Sequence, residues 1–213
     1  MNIVDKLLES TDYIRLKTIT ETMKGNTFHH HYYILYPLRT LLGSEKKTYT
    51  EIGTFHGGSL SFMLEHPFDT EYHCIDPCMY PNQYENIHEN IKLFNVNNRI
   101  VKHHKEFSTN QTFINQLISS KFNTDILFID GDHSFNAVVY DFLHFSQFVN
   151  SGGFIVFDDY NDLEFSPEVK IAVDTLQQKG FFKDYQVIGD FENIHKVYPS
   201  NLSRINEFII KKI

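Results

Sequence analysis

Residues 124–159 read TDILFIDGDHSFNAVVYDFLHFSQFVNSGGFIVFDD, and their pattern decides the fold. TDILFID is a near-continuous apolar run closed by an acid, as expected of a strand covered on both faces. Ser134 then offers a capping hydroxyl, and Phe135, Val138, Val139, Phe142, Phe145 and Val149 form the expected helical stripe. GGFIVFDD is a second apolar run, again closed by acids. Strand, helix and strand in succession predict a right-handed parallel crossover.

The same alternation extends in both directions. Upstream, KTYTEIG reads as a strand ending at Gly53, and GGSLSFMLEHP as a helix started near Gly58 and Ser59 and stopped by Pro67. EYHCIDP and RIVKHH are strands, each followed by a helix, NQYENIHENIKLF and NQTFINQLISS. Downstream, Ser166 and Pro167 place a cap and a first-turn proline, Gly180 ends that helix, and DYQVIG and NEFIIKK are strands. The N-terminus departs from the alternation. Ile3, Val4, Leu7 and Leu8 form a helical stripe, and a second helix is expected over about Tyr32 to Leu42, stopping at Gly43. The expected fold is α/β: a doubly wound, mostly parallel, seven-stranded Rossmann-like sheet with helices on both faces and an extra N-terminal helical segment. One domain spans residues 1–213, with 1–46 as a helical cap and 47–213 as the core; 213 residues suffice for a core without staples.

Composition narrows the function. A net charge of −8 argues against a general nucleic-acid binder, which needs a basic face to release counterions. No apolar run approaches a membrane span, and the N-terminus is acidic rather than signal-like, so a cytoplasmic protein is expected. Cys74 and Cys78 are spaced C-x3-C with no second pair to complete a zinc site, and read as free thiols. The His29–His31 run precedes an apolar periodic segment and reads as part of a helix or its entry loop. His56, His103 and His104, with Lys105 to Ser108, are placed near the ligand; His66, His73, His88, His144 and His195 are assigned to surface or packing.

Ligands of such sheets sit beyond the carboxyl ends of the strands, and Glu51, Asp76, Asp130 and Asp158 all close strands. Around Glu51 the pattern is E-x-G-x-x-x-G-G, with Gly53, Gly57 and Gly58 permitting positive φ and close approach of a ligand. It is not G-x-G-x-x-G, and a carboxylate there suits a cationic or hydroxylated ligand better than a pyrophosphate. Asp76 is placed to accept from a ribose diol. Asp130, Asp132, Asp158 and Asp159 cannot all be ionised in one dry pocket, so either a proton or a divalent cation such as Mg²⁺ must be held among them. Both Asp158 and Asp159 reach one ion only if the chain leaves the sheet there, and Asn161 and Asp162 supply turn chemistry.

On these motifs the chain resembles the class I S-adenosylmethionine-dependent methyltransferases. Glu51, Gly53 and Gly57 match the first motif and Asp76 the ribose-binding acid. The second half, from FIDGDHSF to FIVFDDY, is similar to the macrocin-type and other sugar O-methyltransferases, and the resemblance covers roughly residues 48–190. It implies S-adenosylmethionine held by Glu51, Gly53, Thr54, Gly57, Ser59, Asp76 and Asp130. It also implies Mg²⁺ on Asp130, Asp158 and Asp159, and a base at Asp132 or His133. His133 is preferred because an imidazole titrates nearer working pH. The acceptor is then a small sugar or glycoconjugate precursor, with no nucleic-acid or membrane partner. A catechol-type acceptor is the alternative within the same chemistry; a nicotinamide oxidoreductase and a catalytically silent binding module are the rivals outside it. Phe28, Tyr32, Tyr33 and Tyr36 are read as an aromatic surface that covers the site or pairs with a second copy.

Overall fold

A computed structural model describes residues 18–19, 22–25, 32–190 and 207–213. The Ile3–Leu8 stripe, Phe28, the His29–His31 run and His195 lie outside the described residues. In chain order the elements are α1 (Tyr32–Leu41), β1 (Lys47–Ile52), α2 (Gly58–Leu64), β2 (Thr70–Ile75), α3 (Gln83–Phe94), β3 (Val101–His104) and α4 (Gln111–Ser119). There follow β4 (Thr124–Ile129), α5 (Phe135–Phe145), β5 (Val149–Phe157), α6 (Pro167–Gln178), β6 (Tyr185–Asp190) and β7 (Phe208–Lys212).

The strands form one seven-stranded sheet in the order β3-β2-β1-β4-β5-β7-β6. The first five run parallel, while β7 is antiparallel to both β5 and β6, in keeping with a mostly parallel sheet. The period of two divides each central strand between two cores. Ile126 and Phe128 face the side packed by α1 and α2, and Leu127 and Ile129 face the side packed by α4, α5 and α6. All six residues of β4 are buried, which is why its sequence shows no polar alternation.

Two local expectations need correction. Val149 does not belong to the α5 stripe: α5 ends at Phe145, the chain tightens into a 3-10 turn over Ser146–Phe148, and Val149 opens β5 instead. Its side chain is buried either way, so apolar spacing could not separate the two placements. Ser166 stands at the N-cap of α6, but its hydroxyl makes no cap bond. Ser134 does cap α5, accepting from the Ala137 amide.

Fully buried Arg39 locks α1 to the start of β2. Its guanidinium donates to Thr70 Oγ1 and to the carbonyls of Gly43, Glu45 and Asp69, over 2.6–2.9 Å. Tyr36, expected on the surface, is buried against the His66 ring. Among the described residues no helix is long and apolar enough to cross a membrane.

Candidate active site at the carboxyl edge of the sheet

The strand ends are in register. Ile52 pairs with both Ile75 and Ile129, and Ile129 pairs with Phe157. One further amide bond extends each ladder: Gly53 N donates to Ile75 O, Asp130 N to Ile52 O, Asp158 N to Ile129 O and Asp76 N to His104 O. Parallel pairing thus sets Gly53, Asp76, Asp130 and Asp158 side by side along one edge. Strand order reverses between β1 and β4, so this edge is also the topological switch point at which a crevice forms.

At the first half of the edge, the loop after β1 is held from below. Tyr49 and Ser59 both donate to Glu51 Oε2, at 2.7 and 2.9 Å, and the Glu51 carboxylate is wholly buried. Tyr49 lies two residues before Glu51, a spacing that puts both side chains on one face of a strand, so this pairing could have been anticipated. Gly53 has φ +88°, and a Cβ there would sit 1.9 Å from the Asp130 carbonyl oxygen. Gly57 is left-handed at the N-cap of α2, and Thr54 is buried beside the Cys74 thiol.

The Asp76 carboxylate ties this loop to the next. Oδ2 accepts from the Phe55 amide, and Oδ1 accepts from the Cys78 amide and from Gln83 Nε2, all within 2.8 Å. A carboxylate offers about four acceptor positions, so capacity remains for a ligand hydroxyl. Gln83 opens α3, and no sequence motif marks its role. Asn90, buried on the same helix, joins the Lys24 backbone to the His56 carbonyl. His56 also packs against the N-terminal segment, with Gly25 lying directly against its ring.

The two histidines that end β3 face other histidines. His104 approaches His73 at 3.1 Å, and burial, with the neighbouring His73 charge, pushes its pKa down to about 4. His103 lies between the Cys78 thiol and His88, at 3.5 and 3.3 Å. Burial raises the Cys78 thiol to about 11, so the group is protonated and unreactive near neutrality.

At the second half of the edge, Asp130, His133 and Asp158 each present one ligand atom, all within 4.8 Å of one another. The chain leaves the sheet after Asp158, whose amide makes the last ladder bond, and Asp159 adopts a left-handed φ of +55°. That turn directs the Asp159 carboxylate to the far side of the His133 ring. Asp130 Oδ1 lies 3.3 Å from His133 Nε2, and Asp159 Oδ2 lies 3.3 Å from Nδ1. Ser166 Oγ, absent from the sequence-based assignment, is 2.9 Å from Nδ1 and 2.8 Å from Asp159 Oδ2. Its 33-residue separation from His133 leaves no local signal for the pairing. Burial of the imidazole opposes its charge, but the hydrogen bond and charge of Asp130, with the charges of Asp159 and Asp158, prevail and raise its pKa to about 9. Asp132 is exposed, and one of its oxygens accepts from the Ser134 amide. The first turns of α5 and α6 are joined where Glu168 accepts from the Phe135 amide at 2.7 Å.

The sheet order, the glycine turn after β1 and the row of acids at the switch point together define a class I methyltransferase architecture. The chain belongs to the methyltransferase-domain family whose model matches residues 50–160. It is 39% identical over 210 residues to an uncharacterised protein of Acanthamoeba polyphaga mimivirus, covering 94% of this chain and 95% of that one. Among solved structures, an O-methyltransferase from Bacillus cereus in complex with S-adenosylhomocysteine superposes with TM-score 0.64 at 14% identity, over 96% and 91% of the two chains. The O-methyltransferase TomG of Streptomyces achromogenes, in complex with S-adenosylmethionine, gives 0.62 at 14% identity, over 96% and 90%. A putative rRNA methylase from Clostridium thermocellum gives 0.63 at 16% identity, over 88% and 100%. Such likeness speaks to the fold alone.

Proposed function

We propose that this chain is an S-adenosylmethionine-dependent O-methyltransferase that uses a divalent cation to methylate one hydroxyl of a vicinal diol on a sugar or related small molecule. The observation that carries the reading is the cluster of Asp130, His133 and Asp158 on the edge that also bears the glycine turn and Asp76. The donor set fits both groups. Carboxylates at the ends of β1 and β2 suit a ligand with cationic and hydroxyl groups, and mixed oxygen and nitrogen donors suit a divalent ion.

When bound, S-adenosylmethionine supplies an electrophilic methyl group, and a bound divalent cation acidifies a ligated hydroxyl. The protein's own work is placement. Asp76 would accept from the ribose hydroxyls, and the Glu51–Tyr49–Ser59 network fixes the loop beside it. Asp130 and Asp158 anchor the acceptor side. Of the two bases weighed from sequence, we assign proton removal to Asp132. It is exposed and keeps one oxygen clear of the Ser134 amide, whereas both His133 ring nitrogens already face partners, Asp130 at Nε2 and Ser166 and Asp159 at Nδ1. In-line approach of oxygen, carbon and sulfur then depends on how rigidly these groups are held.

A planar catechol-type diol is the second reading. Leu163 and Phe165 are among the most exposed apolar side chains, on the same loop as Asp159 and Ser166. Isothermal titration separates cofactors: S-adenosylhomocysteine is expected to bind and NAD⁺ not to. Asp76→Asn is expected to weaken S-adenosylhomocysteine roughly tenfold or more, the value of a hydrogen bond to a charged group. No binding of S-adenosylhomocysteine would overturn the reading. Methyl transfer to sugar diols and to catechol, each with and without EDTA, then ranks the acceptors.

A further inference from the structure

The resemblance to sugar O-methyltransferases places the ion on Asp130, Asp158 and Asp159, but the side-chain geometry gives Asp159 a different neighbour. We propose that the His133 imidazole, rather than the Asp159 carboxylate, completes the cation site with Asp130 and Asp158. Asp159 and Ser166 are then positioning residues, and the site favours a first-row transition ion over magnesium. This rests on the divalent-cation reading above and refines it.

Hydrogen-bond directions fix the His133 tautomer. Asp159 as a carboxylate can only accept, so the hydroxyl hydrogen of Ser166 is committed to Asp159 Oδ2 at 2.8 Å. Ser166 Oγ faces His133 Nδ1 at 2.9 Å with only lone pairs left to offer, so Nδ1 must carry hydrogen and donate. That leaves Nε2 as the ring's ligand position. Nε2 is the nitrogen 3.3 Å from Asp130 Oδ1, and one nitrogen of this ring lies within 4.8 Å of ligand atoms of both Asp130 and Asp158. A histidine metal ligand commonly has its second nitrogen hydrogen-bonded outward in this way, which fixes ring orientation and tautomer.

The backbone explains why Asp159 serves the ring's outer side. Its left-handed conformation turns the chain straight after β5. The turn is then pinned by Asp162 N donating to Asp159 O, by Asp162 Oδ1 accepting from the Glu164 and Phe165 amides, and by Ser166 N donating to Asp162 O. Ser166 is buried, and Pro167 starts α6 directly behind it. Asp158 instead stays in register with the sheet and points its ligand atom into the cluster. Two carboxylates and one imidazole form a donor set in which nitrogen raises affinity for cobalt, nickel or zinc more than for magnesium, which prefers oxygen and water.

The test measures ion binding to the full chain by titration calorimetry, with Co²⁺ and Mg²⁺ as probes and S-adenosylhomocysteine binding as the check of folding. Wild-type protein is expected to bind Co²⁺ at least about tenfold more tightly than Mg²⁺. His133→Asn should abolish that preference while keeping S-adenosylhomocysteine binding. Ser166→Ala and Asp159→Asn should weaken Co²⁺ roughly 10- to 100-fold, as loss of an outer partner does. The visible spectrum of bound Co²⁺ should change in His133→Asn and keep its band pattern in Asp159→Asn at saturation. If Asp159→Asn abolishes binding of both ions while His133→Asn leaves both unchanged, the assignment is overturned and Asp159 is the ligand. A protein that binds S-adenosylhomocysteine but neither ion would overturn both this inference and the divalent-cation reading, leaving the methyltransferase reading intact.

Discussion

At position 53 the structure leaves room for a hydrogen and nothing larger. Gly53 is left-handed, and its missing Cβ is what lets the β1 loop pass against the Asp130 carbonyl. Gly53→Ala combines the left-handed penalty with a backbone clash, so it is expected to cost more than about 2 kcal/mol. Thermal melting checks the cost, and S-adenosylhomocysteine titration of the folded fraction should show weakened binding, because Asp76 and Asp130 flank the same turn. Glycine at this position was legible from the motif, but its reason was not. The spacing suggested room for a ligand, whereas the contact that forbids a side chain is made by another strand's loop. Ser166 shows the same limit. Read locally it is a helix cap; in space its hydroxyl bridges Asp159 and His133.

Among the elements, α1 is seated by its buried apolar face and by one polar clamp. Arg39 directs four hydrogen bonds into the turn after α1 and the start of β2, and nothing in the local pattern YYILYPLRTLL marks it as buried. Arg39→Met keeps much of the volume but leaves three carbonyls and the Thr70 hydroxyl short of a donor. It is expected to destabilise the protein by about 3 kcal/mol or more, read as a shift in the urea midpoint. Affinity for S-adenosylhomocysteine in the folded protein should stay near wild type, since the clamp lies at the opposite end of β2 from Asp76. The strands and helices of the central crossover followed their sequence closely because burial on both faces leaves them little choice. The boundary at Val149 did not, since a buried valine satisfies a helix end and a strand start equally.

Across the whole molecule, one buried acid couples stability to pH. Asp141, on α5, has Oδ1 buried without a hydrogen-bond partner, and burial raises its pKa from 3.8 to about 7, against a smaller opposing bond from Ser108. The folded state therefore keeps a proton that the unfolded chain would release. This contribution is fully present below pH 3.8 and is lost as pH rises through about 7. Asp141→Asn removes the ionisation, so its gain in melting temperature over wild type should be larger at pH 8 than at pH 4. An equal gain at both would show that burial does not hold the proton. The sequence by itself determined the alternating architecture, the strands that bury both faces and the residue types waiting at their ends, because those follow from local periodicity and turn chemistry. Only the tertiary structure decided which of those acids meet. Strand register aligned Gly53, Asp76, Asp130 and Asp158, and a left-handed turn at Asp159 set its carboxylate on the outer side of the His133 ring. Side-chain direction at a strand end depends on backbone dihedrals and partners far away in the chain, which no local pattern encodes.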